Sequence, residues 1–363
     1  MGDVNPVIRA AAVQAASVFL DREATTEKAC RLIREAGESG ARVVAFPEGF
    51  IPAHPNWFHF HAGTNPVATR LSIELFNNAV VIPGPETEAL GRAARGAGTY
   101  VVMGLCEKTR GSFGSMYNTL LFIGPDGSII GKHQKLVPTV GERLVHMPGG
   151  PETWAAVPTD FGVLSGLICG ENSNPLAVFA LTAEHTRVHC MSWPNHFFDA
   201  GTPMPEVALV MARAFAQMSQ AFVISSAGVI DDRMREMMEV GPEGVEFLAR
   251  ADVTGGSVII APDARILAGP LPGDREDILY ADMDFEIGVA LKLRHDLAGH
   301  YNRPDIFRLL INRTPAPLIR HASELGATFD SPAPAQVGEG AQGGLTDPDH
   351  MQLGLPTAEN DSN

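Results

Sequence analysis

A short run of apolar and small residues, Val163 to Ile168, stops abruptly at Cys169-Gly170, and a helix start follows at once. The run is too short for a helix and β-branched enough to be a buried strand. Asn174 is a good N-cap and Pro175 a good first helical residue. A buried strand feeding directly into a helix calls for a sheet covered by helices, the α/β class. Cys169 then lies on a turn gripped by rigid elements on both sides. Its thiol can project from the sheet edge, where the nearby helix N-terminus favours a thiolate. The same position also suits an inert core cysteine.

The rest of the chain repeats the strand–helix alternation. Val7–Ser17 reads as a strand, and Asp21 caps a helix with Ala29, Leu32, Ile33 and Ala36 on one face, closed by Gly37 and Gly40. Arg42–Phe46 is a short strand ending at Pro47-Glu48, which puts a carboxylate at a strand's C-terminal end. A helix is expected over Pro85–Gly96, then strands over Thr99–Leu105, Tyr117–Ile123 and Ser128–His133. The turn Gly124–Gly127 makes the last two an antiparallel hairpin. Lys135 and Glu142 follow on irregular chain. Arg187–Ser192 is a strand, Pro205–Gln220 a helix with Val207, Met211, Phe215 and Met218 inward, and Ala221–Ala227 a strand. The charged, Met-rich Ile230–Asp252 reads as an insertion suited to self-association. Ser257–Ala261, Arg265–Ala268 and Ile278–Asp282 complete the strands before a last helix, Phe285–His295. This order predicts a mixed sheet, or two sheets, under helices.

Residues 1–327 should form the folded domain. From about Thr328 hardly any large apolar residue occurs, so 328–363 is expected to be disordered. That tail holds a GxGxxG string at Gly338, Gly340 and Gly343, without the strand and helix a dinucleotide site requires. The formal charge of −15 argues against binding nucleic acid or an anionic membrane. No apolar run reaches membrane-spanning length and no signal-like segment opens the chain. Four dispersed cysteines point to free thiols in a reducing, cytoplasmic setting.

Three side chains stand after strands: Glu48, Lys135 and Cys169. Together they make a nucleophilic site without histidine, in which thiol attacks, carboxylate takes its proton and ammonium stabilises negative charge. Separately they also fit a loop cap, a surface cation and a core thiol. The loop Gly49–Asn65 carries His54, His59 and His61 among Trp57, Phe58 and Phe60. Their spacing matches no helical metal pair and no cysteine or acid accompanies them, so the loop is read as pocket lining. Gly255-Gly256-Ser257 hints at an amidase-signature segment, but Val258 stands where serine is needed.

The strings AFPEGFIP (45–52), KHQKLVPTVGER (132–143) and GLICGENSNPL (166–176) resemble, in order and spacing, the three motif regions of the nitrilase superfamily of carbon–nitrogen hydrolases. The likeness spans most of residues 7–315, including GGSVIIAPDARILAGPL (255–271). The stretch GHYNRPDIFRLLINRTP (299–315) resembles the nitrilase branch. The resemblance implies an α-β-β-α sandwich pairing into a four-layered αββα-αββα dimer, with further assembly into spirals or filaments. It implies Glu48 as general base, Lys135 as stabilising cation, Cys169 as nucleophile and Glu142 as a helper that orients Lys135 or substrate. The reaction implied is hydrolysis of a small organic nitrile to acid and ammonia without metal or organic cofactor. An amidase or N-carbamoyl amide hydrolase, or a nitrilase releasing much amide, would use the same residues. Many nitrilases carry tryptophan after the nucleophile, whereas this chain has Gly170, so the space beside the sulfur is either open or filled by Trp57 or Trp193. Substrate contacts are expected from Trp57, Thr139, Gly170, Trp193, Pro194 and His196, with Trp193 equally suited to the core.

Overall fold

The computed structural model describes residues 5–154, 156–197 and 201–315. The expected tail, 328–363, lies outside them. The first half contains β1 (Val7–Gln14), α1 (Arg22–Glu38), β2 (Ala41–Ala45), α2 (Pro66–Asn78), α3 (Pro85–Ala97), β3 (Tyr100–Lys108), β4 (Met116–Ile123) and β5 (Ile129–Gln134). The second half contains β6 (Ala156–Thr159), β7 (Gly162–Ile168), α4 (Pro175–Ala183), β8 (Thr186–Trp193), α5 (Met204–Ser219) and β9 (Phe222–Ala227). It continues with α6 (Asp232–Met238), α7 (Gly241–Leu248), β10 (Val258–Ile260), β11 (Ile266–Ala268), β12 (Asp277–Asp284) and α8 (Phe285–Lys292).

The strands form two six-stranded sheets, ordered β12-β1-β2-β3-β4-β5 and β11-β10-β9-β8-β7-β6. Each has a parallel centre, β1-β2-β3 in one and β7-β8-β9 in the other, and antiparallel flanks. The expected β4–β5 hairpin is among them. Alternation along each strand explains the layering. In β1, Ala10 and Ala12 join the core shared with Leu164, Ile168, Val188 and Ile224 of the second sheet. Their neighbours Ala11 and Val13 pack beneath Ala29, Ile33 and Ala36 of α1 and Leu90 and Ala94 of α3. Helices α4 and α5 cover the far side of the second sheet through Val178, Leu181, Ala208, Ala212 and Phe215. The result is the α-β-β-α sandwich. No helix among the described residues is long and apolar enough to cross a membrane.

Four local readings change. Helix α2, capped by the Asn65 side chain with Pro66 in its first turn, was not anticipated. Gly37 does not end α1 but lies inside it, because a Cβ there would come 2.5 Å from the Ala97 Cβ of α3. On α5 the buried face carries Ala208, Ala212, Phe215 and Ala216, while Met218 is exposed and Val207 and Met211 are only partly covered. Small residues let that helix approach its sheet closely, so its larger side chains turn outward. The segment around α6 and α7 is not simply a surface element. Met234, Met238 and Leu248 are buried in the same apolar cluster as Trp57.

Candidate active site

The three chemistry-bearing residues all follow strand ends. Glu48 leaves β2, and its backbone N–H donates to the Trp193 carbonyl at 3.0 Å, across to the end of β8. The chain can cross β3 there because position 104 is glycine; a Cβ would lie 2.0 Å from the Pro47 carbonyl oxygen. Lys135 directly follows β5, anchored by its N–H to the Asn118 carbonyl at 2.8 Å. Cys169 directly follows β7, in the left-handed region at φ 52°. A residue with a side chain is uncommon there. A 3-10 turn, Cys169–Ser173, links it to α4, whose N-cap is Asn174 as expected.

Lys135 Nζ donates to Glu48 Oε1 at 2.8 Å and to Glu142 Oε2 at 2.7 Å, and all three side chains are buried. Asn118 bridges the same carboxylates, at 2.7 Å from Glu48 Oε1 and 2.6 Å from Glu142 Oε1. Glu142 also accepts from the Thr139 N–H at 2.9 Å, and His146 Nδ1 lies 3.1 Å from it. Glu48 Oε2 is buried with no hydrogen-bond partner among the described residues. Glu48, His54 and Glu142 offer ligand-type atoms within 4.8 Å of one another, but the ammonium already sits between the two carboxylates.

Burial works against the Glu48 charge, yet Lys135 and His54 outweigh it and hold the carboxyl below its ordinary range. Burial likewise opposes the charges of Lys135 and Glu142; Glu48 above all raises the ammonium, and the His146 hydrogen bond followed by Lys135 lowers the Glu142 carboxyl. Cys169 goes the other way. Burial, then the charge of Glu48, pushes the thiol well up, with Lys135 only partly compensating. The thiol is therefore protonated at rest, contrary to the thiolate expected from a nearby helix N-terminus. Helix α4 begins six residues later, beyond the 3-10 turn, where its dipole has little effect on the sulfur.

Two further residues brace this site, and neither stood out in the sequence. Glu171 accepts from the Leu136 N–H at 2.6 Å and the Ile168 N–H at 3.0 Å, with His133 Nε2 at 2.9 Å. One carboxylate thus ties the residue after Lys135 to the residue before Cys169. Asn172 donates to the Cys169 carbonyl at 2.9 Å and meets His189 Nε2 at 2.9 Å, and His189 Nδ1 lies 2.8 Å from Ser165 Oγ. Asn118 had a signal: it is the one amide in a mostly apolar strand, Met116–Ile123.

The expected contact residues have varied placements. Gly170 is exposed, and a Cβ there would meet nothing within 4 Å, so neither Trp57 nor Trp193 fills that space. Trp57 is fully buried against Phe19 and Phe58, and Trp193 is fully buried beside Phe197. Pro194 is buried, and the Thr139 side chain lies on the surface above Glu142. His196 is buried among Asn56, Asn195, His59 and Phe60. The three loop histidines diverge: His54 faces Glu48, His59 faces His196, and His61 Nε2 meets the Met238 carbonyl at 2.7 Å.

A two-sheet sandwich with a buried carboxylate–ammonium–thiol site defines the class of protein, and comparison with known proteins agrees. The carbon–nitrogen hydrolase family profile matches residues 9–292. "Nitrilase 2" from an unknown prokaryotic organism is 36% identical over 319 residues, 88% of this chain and 96% of that protein. A nitrilase of Bacillus sp. strain OxB-1 is 35% identical over 325 residues, 88% of this chain and 92% of that protein. Among solved structures, Saccharomyces cerevisiae Nit3, a member of branch 10 of the nitrilase superfamily, superposes with a TM-score of 0.62. It is 20% identical, covering 81% of this chain and 96% of that one. The chain belongs to the carbon–nitrogen hydrolase family of the nitrilase superfamily and is a hydrolase acting on carbon–nitrogen bonds.

Proposed function

We propose that the protein is a nitrilase, converting an organic nitrile and two waters to a carboxylic acid and ammonia through covalent attachment to Cys169. The observation that carries this reading is the asymmetry of Glu48. Oε1 is held by Lys135 and Asn118, while Oε2 is buried and unbonded, and the Glu48 charge acts on a neutral Cys169 thiol. A carboxylate so arranged is ready to accept one proton. The names of its relatives, nitrilases along most of their length, support the choice of substrate class.

The Cys169 sulfur forms a bond to the nitrile carbon as its proton passes to Glu48, and that proton then goes to the nitrile nitrogen, giving a thioimidate. Water adds to the C=N carbon, losing a proton to Glu48. Glu48 passes that proton to the nitrogen, the hydroxyl proton follows through the same carboxylate, and the C–N bond breaks to release ammonia, leaving a thioester and an ionised Glu48. A second water, again deprotonated by Glu48, breaks the C–S bond and releases the acid, and the thiol recovers its proton. Lys135 faces the negative charge that develops in each addition, and Glu142 and Asn118 fix it in place. Expulsion of the thiolate instead of ammonia would release the amide.

The exposed Leu176, Val210 and Met218, on the outer sides of α4 and α5, support the expected pairing of subunits. Ammonia release from a panel of nitriles and their matching amides tests the activity. Faster turnover of the nitriles supports it, and hydrolysis of the amides alone would replace it with an amidase.

A further inference from the structure

His54 has no task in the chemistry above, yet it touches the proposed base. Its Nε2 lies 3.2 Å from Glu48 Oε1. Its Nδ1 lies 2.5 Å from Asn56 Oδ1. The Asn56 amide is oriented from its other side, where Nδ2 points to Asn195 Oδ1 and to His196 Nδ1 at 3.2 Å. Asn195 Oδ1 can only accept, so the Asn56 nitrogen belongs there and its oxygen is turned to His54. An ionised carboxylate on the opposite edge of the ring can also only accept. Nδ1 is thus hydrogen-bonded to an acceptor, while Nε2 stands at ion-pair distance from the Glu48 carboxylate without hydrogen-bond alignment, so it is a charge on the ring that this contact rewards.

We infer that His54 is the second cation of the site, an imidazolium that acts with Lys135 to hold Glu48 ionised and its Oε1 engaged, leaving Oε2 to take the Cys169 proton. This rests on the reading of Glu48 as the base. Charge balance agrees. Two buried carboxylates, Glu48 and Glu142, face two cations, Lys135 and His54, whereas a neutral His54 would leave one uncompensated buried negative charge. The neighbours from every side fit. From β4 comes Asn118, from the end of β5 Lys135, from the following turn Glu142 and His146, and from beyond β8 His196. Burial opposes the charge on His54, but contact with Glu48 outweighs it and raises the ring. The other histidines nearby stay neutral: burial lowers His59 to about 4, takes His196 well down, and lowers His146 despite Glu142. His54 thus acts through Glu48 as a positioning residue.

The test needs no substrate. Alkylation of Cys169 by iodoacetamide, followed by mass spectrometry of its peptide in the full chain, reads proton transfer to Glu48 from about pH 9 down through the acid range as far as the chain stays folded. His54→Gln keeps a donor toward Glu48 and removes the charge. An opposite charge at this range lowers a carboxyl by about 1–3 units. The pH of half-maximal alkylation should therefore rise by about one unit or more in His54→Gln, making the reaction roughly tenfold slower near the acid edge of the native profile. An unchanged acid edge in a folded His54→Gln or His54→Asn chain overturns the inference and leaves Glu48 as base. Glu48→Gln should slow alkylation at every pH, and if it does not, the catalytic reading fails with it. Nitrogen NMR of the native chain labelled at histidine gives a second check that requires no variant. One ring should keep its second proton to higher pH than an ordinary histidine, and finding no such ring overturns the inference.

Discussion

Two buried polar networks bear on Cys169, one through its backbone carbonyl and one through charge, and they differ in a way that residue types alone do not announce. Ser165, His189 and Asn172 form a hydroxyl–imidazole–amide chain with contacts of 2.8 and 2.9 Å, outwardly like a nucleophile and its base. Yet His189 is sealed, stacked on Phe215 with ring centroids 3.8 Å apart, and burial holds it to about 3, so it stays neutral. Every edge of this chain is engaged, and its far end donates to the Cys169 carbonyl. The Glu48–Lys135–Glu142 cluster is also buried, but it is ionic, one ammonium bridging two carboxylates, and Glu48 Oε2 is left unbonded. The difference teaches that what sets the proposed site apart is a buried charge held together with an unspent acceptor atom. A fully satisfied network serves to hold backbone, in this case the left-handed turn at Cys169.

The largest stability effect should follow from breaking the charged network. Lys135→Ala strands two buried carboxylates and should destabilise the fold by about 3–5 kcal/mol, read by chemical denaturation, along with loss of turnover. Asn172→Ala removes a neutral partner and should cost about 1–3 kcal/mol, with turnover reduced but measurable. If the two variants lose equal stability, the distinction between charged and neutral networks fails.

The pH dependence of folding separates them further. Glu48 and Glu142 have lowered native pKa values, so their stabilisation is complete above the unfolded value of about 4.3 and is lost as pH falls through the native ones. Lys135 is raised, so its contribution is complete below about 10.4 and declines as pH climbs toward the native value. His189 is lowered, so its share is present above about 6.5 and lost between there and about 3. Glu142→Gln should flatten the acid loss below about pH 4.3, seen in denaturation curves taken across pH. A slope there equal to that of the native chain would contradict the pairing.

The smallest effect is expected at Gly170→Ala. The new methyl enters open space, so stability should change by less than about 0.5 kcal/mol. Any consequence should appear as a change in KM for bulky nitriles. A large loss of stability would mean the space is not open.

Much of this was legible from residue order. The strand ends at Glu48, Lys135 and Cys169 were marked by breakers and motif strings, and the alternation of strands with helices already implied sheets under helices. The remainder depended on long-range partners. Nothing local says that Gly37 meets Ala97, or that the Glu171 carboxylate spans two loops. The α5 stripe was misjudged because large apolar residues were weighted over alanine, whereas close helix–sheet packing favours the small ones. Which of two open readings of the thiol holds, a proton given up to Glu48 or a thiolate favoured by the helix start, depended on burial and Glu48 acting through space, and these favour the first. His54 was visible only as one of three loop histidines until Glu48 and Asn56 were seen on either side of its ring.

The most direct test sets the two networks against each other in one assay. Steady-state hydrolysis of a nitrile should fall by about 10⁴-fold or more in Cys169→Ala, while Ser165→Ala, altered in the neutral chain, should keep kcat/KM within about tenfold of the native protein. Retained turnover in Cys169→Ala, with loss in Ser165→Ala, would contradict the account.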